Sequence, residues 1–116
     1  MVVRIWHGWT EPGLADRYES LLKEEIFAGI ESRRIPGFLG IRLLRRDSGS
    51  EVEFVTIMEF DGLDAVREFA GPDYEAAVVP ETARAVLSRF DTRSRHYEVK
   101  AERGYRRSSA TFESWP

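Results

Sequence analysis

The order of its strand-like and helix-like segments is the feature that most constrains what this chain can fold into. Residues 2–10 alternate between two apolar sets with a period of two, which predicts a first strand. Thr10, followed by an acidic residue and a proline, is a typical helix start, and the Pro36-Gly37 pair is a typical helix end. Between these points apolar side chains recur at helical spacing, at Leu14, Tyr18, Leu21, Leu22, Ile26 and Ile30. A long first helix is therefore predicted.

The remaining segments predict a hairpin, shorter helical pieces and a last strand. In chain order they are strands at 39–44 and 52–60 around a turn at 47–50, a helix at 63–70, helical turns at 73–79 and after Pro80, and a strand at 90–99. Strand, helix, strand, strand, helix, strand is the order of a split βαβ unit. The sequence therefore predicts an α+β, ferredoxin-like βαββαβ domain with an antiparallel four-stranded sheet.

Helices cover only one face of such a sheet, so the other face must meet water or a partner. On the first strand we assign Val3, Ile5, His7 and Trp9 to the helix side. The uncovered face is then expected to mix apolar and charged groups: Val2, Trp6, Leu44, Val55 and Ile57 among Arg4, Arg42, Glu53 and Glu59. This mixture is typical of an interface. We expect a homodimer that buries this face, with scattered surface apolar residues as the alternative.

Length and composition limit the function classes. A chain of 116 residues makes a single domain, which we place at residues 1–99, with 100–116 as a C-terminal extension that is flexible or packs on the partner subunit. The absence of cysteine excludes disulfides and thiolate chemistry. A net charge of −3 argues against nucleic acid as a ligand. No signal peptide or membrane-spanning stretch is recognisable, so we expect a cytoplasmic protein with no membrane partner.

No complete catalytic motif is present. The sequence has no glycine-rich phosphate loop, no HExxH and no GxSxG, and its two histidines are far apart, so no metal site is expected. His7 is the sharpest catalytic candidate, because a histidine among apolar groups can act as a general base near neutral pH. A core histidine with satisfied nitrogens is the alternative for His7. The phenol of Tyr74 is a second candidate, as a hydrogen-bond donor to a substrate oxygen, with a cap of a surface turn as the alternative.

Several aromatic residues are candidates to line a cavity for a flat aromatic ligand. They are Trp6, Trp9, Tyr18, Phe60 and Phe69. Aromatic residues at strand and helix spacing are also typical of a plain core, and this is the alternative for each of them. Arg84, after Pro80, is placed to meet an anionic substrate, unless it lies on a solvated helix face.

Three stretches resemble the antibiotic biosynthesis monooxygenase (ABM) family: the His7-Gly8-Trp9-Thr10 strand ending, the Ile35-Pro36-Gly37-Phe38-Leu39-Gly40 helix exit, and the run from Phe60 through the segment 73–77. The resemblance covers residues 2–99. It implies a dimeric α/β barrel with a ligand pocket between helices and sheet. It also implies one of the activities of that family, which include cofactor-free oxygenation of polycyclic phenols, haem degradation and quinol oxidation.

The haem-degrading branch of the family permits a check by residue. Its first-strand asparagine, third-strand tryptophan and haem-ligating histidine align with His7, Phe60 and Val78 here. Because valine cannot ligate iron, the resemblance argues against haem degradation. It implies a cofactor-free monooxygenase for a hydrophobic aromatic or quinone-type substrate, with His7 as base and Tyr74 as donor. A non-catalytic dimeric module that binds a small apolar ligand is the alternative.

Overall fold

The structure is a computed structural model that describes residues 1–105; residues 106–116 of the predicted C-terminal extension lie outside the described residues. Its strands are β1 (Val2–Thr10), β2 (Phe38–Asp47), β3 (Val52–Phe60), β4 (Arg89–Phe90) and β5 (Arg95–Glu98). Its α-helices are α1 (Ala15–Leu21), α2 (Phe27–Ser32), α3 (Leu63–Ala70) and α4 (Glu81–Arg84). The predicted α+β class and the antiparallel sheet are confirmed. None of the described helices is long and apolar enough to cross a membrane.

The predicted long first helix is present, with one irregular stretch. A 3₁₀ turn at Pro12–Leu14 leads into α1, and a π-helical segment at Leu22–Ile26 joins α1 to α2 with helical backbone angles at both junctions. A π segment shifts the side chains that follow it around the helix axis, and such segments are frequent at functional sites. The apolar side chains that face the sheet after this segment therefore follow the regular helical spacing of the sequence only approximately.

The sheet is built around β1, which pairs along one edge with β3 and along the other with β4 and β5; β2 lies outside β3. The prediction of one last strand at 90–99 was wrong, so the sheet has five strands and not four. Phe90 pairs with Gly8 and Arg95 pairs with Ile5, so four residues of the returning chain oppose only two of β1. Residues 91–94 loop out of the sheet and form hydrogen bonds with the segment 73–77, in which Ala77 N donates to Thr92 O at 2.9 Å.

That segment is not the predicted helical turn. It closes a single turn, in which Ala76 N donates to Asp73 O at 3.0 Å, and Ala76 then forms an isolated bridge with Arg93. The predicted helix start at Pro80 is confirmed, since Pro80 caps α4. The segment 73–77 therefore lies against the returning chain, beside the edge of β1.

The side assignment of β1 was wrong, and the two faces are exchanged. The inner face, which the helices cover, carries Val2, Arg4, Trp6, Gly8 and Thr10. The outer face of β1 carries Val3, Ile5, His7 and Trp9. The error arose because the outer face is itself apolar, so hydrophobic alternation could not tell the two sides apart.

Two aromatic clusters fill the inner side. In one, Tyr18 of α1 meets Phe54 edge to face, with ring centroids 4.9 Å apart. In the other, Phe60 is fully buried between Phe38 and Phe69, with centroids at 5.5 and 6.0 Å. The cavity described below lies between the helices and the sheet, where the two clusters meet.

Candidate functional site

The candidate site is a trough between the sheet and the helices that is partly open to solvent. Its floor is formed by inner-face residues of three strands, including Trp6, Met58 and Ile41, and its roof by the π segment and α2. Phe69 of α3 closes one end, and the segment 78–80 forms part of the rim. The cavity volume is about 60 Å³, which is room for a few water molecules. A larger ligand would therefore have to displace lining side chains.

Two buried polar side chains interrupt these apolar walls. Arg4 and Ser94 both line the cavity, and each is 3% exposed. Tyr18 also lines it, and burial raises the pKa of its phenol, so this group stays protonated near neutral pH. The cavity thus combines a large apolar surface with a few convergent polar groups, as ligand sites do.

Arg4 is held by the segment 74–76. Its Nη1 donates to the carbonyl oxygen of Tyr74, and its Nη2 donates to that of Ala76 at 3.1 Å. The guanidinium also lies over the ring of Phe69, 5.3 Å from the centroid. Among the residues of the described chain, no carboxylate lies within salt-bridge distance of Arg4. Burial lowers the pKa of Arg4 to about 10, so the group remains charged at neutral pH.

His96 extends the polar end of the site. Its Nε2 lies 3.1 Å from Arg4 Nη1 and accepts from it, so the proton of the neutral ring is on Nδ1. That Nδ1 is buried and has no partner within residues 1–105. Burial first, and the Arg4 charge second, lower the pKa of His96. The side chain of His96 lies on the inner face with Arg4 and Tyr74, not toward solvent or the outer face.

His7 lies across the sheet from the cavity. On the outer face its Nδ1 is 2.8 Å from Glu53 Oε2, and its ring stacks on Trp9 with centroids 6.0 Å apart. The predicted position of His7 on the helix side was wrong for the reason given for β1. The backbone of β1 separates His7 from any ligand in the cavity, so His7 and Tyr74 do not come together.

The other predicted site residues divide into two groups. Trp6, Tyr18 and Phe69 line the cavity as expected for a pocket wall. The others do not line it: Trp9 is on the outer face, Phe60 is in the core, Tyr74 packs edge-on to His96 at 5.1 Å, and Arg84 donates to the carbonyl of Val79 at 3.1 Å. Their roles at a site stay predictions.

Sequence reasoning missed Arg4, Ser94 and His96 as members of one cluster. The available signal was Arg4 itself, because a charged residue between Val2 and Trp6 on one face of a strand is out of place in a core. Nothing local in the sequence points to Ser94 or His96. Within the part of the chain that the structure describes, no three histidine or acidic residues are grouped as a metal site would need.

Comparison with solved structures gives clear matches over most of the chain. A variant of MhuD with two manganese protoporphyrin IX molecules per active site is 26% identical, with a TM-score of 0.65, over 90% of this chain and 100% of that one. A putative antibiotic biosynthesis monooxygenase from Bacillus cereus is 15% identical, with a TM-score of 0.59, over 90% of this chain and 97% of the other. The chain has an ABM-type fold.

A third match has the same fold. It is a variant of SnoaB, a cofactor-independent oxygenase from Streptomyces nogalater, at 22% identity and a TM-score of 0.51, over 87% of this chain and 95% of that one. Neither the scan against protein-family models nor the search of curated proteins finds a match. The family resemblance of the sequence is thus supported through structure, and the ABM-type neighbours include both oxygenases and a haem degrader.

Proposed function

We propose that this chain is a small cofactor-free monooxygenase that binds a flat, hydrophobic aromatic or quinone-type molecule in the cavity between helices and sheet. The observation that carries the proposal is the trough walled by Trp6, Tyr18 and Phe69, which lies where the ABM resemblance implies a ligand pocket. The likeness to SnoaB, a cofactor-independent oxygenase, supports the reaction class. Aromatic walls favour a planar ligand through stacked and edge-on ring contacts.

In the cofactor-free mechanism of the family, an acidic phenolic substrate loses a proton and the resulting electron-rich anion reduces oxygen directly. The protein must then supply a dry cavity and groups that stabilise the anion. The apolar walls meet the first need. No histidine or carboxylate among the described residues lines the cavity, so a general base from the wall is not part of this proposal.

We further propose that the protein acts as a homodimer through the outer face of the sheet. Besides His7 and Trp9, this face carries the apolar residues Val3, Ile5, Leu44, Val55, Ile57 and Tyr97. Leu44 and Tyr97 are exposed. The Arg42–Glu59 pair, at 3.3 Å, lies among them. A face with this much apolar surface is better suited to a partner than to water.

A non-catalytic ligand-binding module is the second candidate. The absence of a base in its described lining favours it, because binding needs neither turnover nor proton transfer. The two candidates predict the same ligand contacts and differ only in oxygen consumption.

The described lining does not fit haem. Val78, which aligns with the haem-ligating histidine, is at the cavity rim and 47% exposed, and no histidine replaces it there. A porphyrin would also have to displace more of the lining side chains than a naphthol or an anthrone would. The match to MhuD, a haem degrader, means that the comparison does not itself argue against this activity. A titration with hemin that gives a sharp Soret band at one equivalent would favour it.

Oxygen consumption with hydroquinones, anthrones and naphthols tests the proposal. The wild-type protein should consume oxygen with at least one class, and Val78→Trp should slow turnover by narrowing the rim. Leu63→Trp is the matched control, because Leu63 is also partly exposed and lies outside the cavity. We expect His7→Ala to keep its activity. Tight ligand binding without oxygen consumption by the wild type would favour the module.

A further inference from the structure

Arg4 is a buried cation without a counter-ion in the described chain. It is 3% exposed on the inner face, and its polar contacts are the carbonyls of Tyr74 and Ala76 and the ring nitrogen of His96. Removing a charge from water is costly unless a partner of opposite charge offsets it. Neutral carbonyls satisfy hydrogen bonds but do not neutralise the charge. Within residues 1–105, the fold therefore carries a positive charge beside an apolar cavity with no negative group paired to it.

The guanidinium has donor capacity left over. It carries five N–H bonds, of which the three contacts use three. The Nε–H bond and one Nη2–H bond have no partner among the described residues, and Arg4 lines the cavity. A planar fork of N–H donors matches the geometry of an oxyanion better than that of a neutral oxygen.

Ser94 gives an independent indication at the same place. Its hydroxyl is buried, lines the cavity and has no hydrogen-bond partner among residues 1–105. Ser94 directly precedes β5 and lines the same cavity as Arg4 and Trp6. Its backbone N donates to the carbonyl of Glu75 at 2.6 Å, between the two carbonyls that hold Arg4. Within residues 1–105, an unpartnered buried hydroxyl and an unpaired cation thus line the same cavity, and the segment 74–76 bonds both residues.

We propose that Arg4 and Ser94 form an anion subsite of the cavity, which takes the oxyanion of an aromatic carboxylate or phenolate while the apolar walls take its ring. This inference rests on the proposed function only in that the cavity binds a ligand. It names the substrate class as acidic aromatic compounds rather than neutral ones. The anion subsite would also make a base in the cavity wall unnecessary, because a cation next to a phenol favours loss of the phenolic proton to water.

Arg4 also has a structural part, since it holds the segment 74–76 against β1. Any test must therefore separate the effect of the Arg4 charge on a ligand from its effect on the position of the segment 74–76. A structural role alone would change the binding of neutral and anionic ligands equally, whereas an anion subsite discriminates between them. The charge preference of the ligand, rather than its affinity, is the decisive quantity.

4-Nitrophenol is a suitable probe, because its anion is coloured and its neutral form is not. Absorbance titrations across pH should show that the pKa of bound 4-nitrophenol lies about one unit or more below that of the free phenol. Arg4→Gln should abolish the shift, and Ser94→Ala should weaken anion binding about tenfold. Arg17→Gln, which removes an exposed arginine of α1 outside the cavity, is the matched control and should behave as the wild type. Circular dichroism checks that each variant is folded.

A second arm separates a carboxylate from a phenolate as the source of the charge. Wild-type protein should bind benzoate at least tenfold more tightly than benzamide, and folded Arg4→Gln should bind the two alike. If the substrate anion is a phenolate only, the nitrophenol shift appears without the benzoate preference, and the subsite stands for phenolates.

The inference is overturned if bound 4-nitrophenol has an unshifted or raised pKa, if the shift survives in folded Arg4→Gln, or if the wild type binds neither probe saturably. These outcomes are distinguishable from failure of the proposed function. Oxygen consumption with naphthols and no preference for anions would support the oxygenase proposal and refute the anion subsite. A preference for anions without oxygen consumption would support the anion subsite and refute the oxygenase proposal.

Discussion

Gly8 is the position at which a single methyl group tests the corrected geometry of β1. An added Cβ would lie 2.8 Å from Cη2 of Trp6, closer than real Cβ contacts allow, and 3.0 Å from Cδ2 of Leu87, which is tighter than most such contacts. The Trp6 ring has little room to retreat, because its Nε1 donates to Asp91 O at 2.7 Å. Overpacking of this kind costs about 1–3 kcal/mol, and restriction of the unfolded chain returns about 0.4–1 kcal/mol. Gly8→Ala should therefore lower the free energy of unfolding by about 1–2 kcal/mol.

Urea denaturation and thermal melting measure this loss, which corresponds to a fall in Tm of about 4–10 °C for a domain of this size. Gly40→Ala is the matched control, since Gly40 is also in a strand of the sheet and an added Cβ there meets no atom within 4 Å. It should be neutral or stabilising. If Gly8→Ala is as stable as the wild type, or Gly40→Ala loses as much, then Trp6 does not lie over Gly8 and the inner-face assignment fails.

Three further predictions follow from buried side chains. Because the pKa of His96 is lowered in the folded state, the unfolded chain binds the proton more tightly, and the free energy of unfolding should fall as the pH drops below about 6.5. In urea titrations between pH 7 and 5, His96→Gln should flatten this dependence of stability on pH. An unchanged slope in the variant would contradict the account. Since burial raises the pKa of Tyr18, ultraviolet titration of the native protein should show one tyrosine fewer than the unfolded chain at high pH, and Tyr18→Phe should remove the difference. Phe60→Ala should cost about 3–5 kcal/mol in chemical denaturation, against under about 0.5 kcal/mol for Leu39→Ala at an exposed position; similar losses for both would refute the packing around Phe60.

The element order could be predicted because it depends on local periodicity, and this holds for β1, the hairpin and the helix start at Pro80. The division of the last strand could not, because it depends on a bond between Ala77 and Thr92, fifteen residues further along the chain. Hydrogen bonds of that kind leave no mark on the hydrophobic pattern. The same is true of the turn at 73–76.

The side assignment of β1 failed for a different reason. Where both faces of a strand are apolar, exchanging its inner and outer faces leaves the hydrophobic pattern of the inner face nearly unaltered. The sequence therefore favoured Ile5 and His7 over Arg4 and Gly8 as inner residues. Arg4 is buried because carbonyls seventy or more residues away hold its guanidinium, and this contact is visible only in three dimensions. The wall residues Trp6, Tyr18 and Phe69 were predictable as aromatic side chains, and the polar cluster was not.

The most direct test of ligand binding in the cavity uses the two indoles of β1, which lie on opposite faces of the same strand. In a ¹H–¹⁵N correlation spectrum, titration with benzoate or 4-nitrophenol should move the Trp6 Nε1 resonance, because Trp6 lines the cavity. The Trp9 resonance should stay in place, because its side chain is on the outer face. Movement of Trp9 with Trp6 unchanged would put the ligand beside His7 and contradict the account.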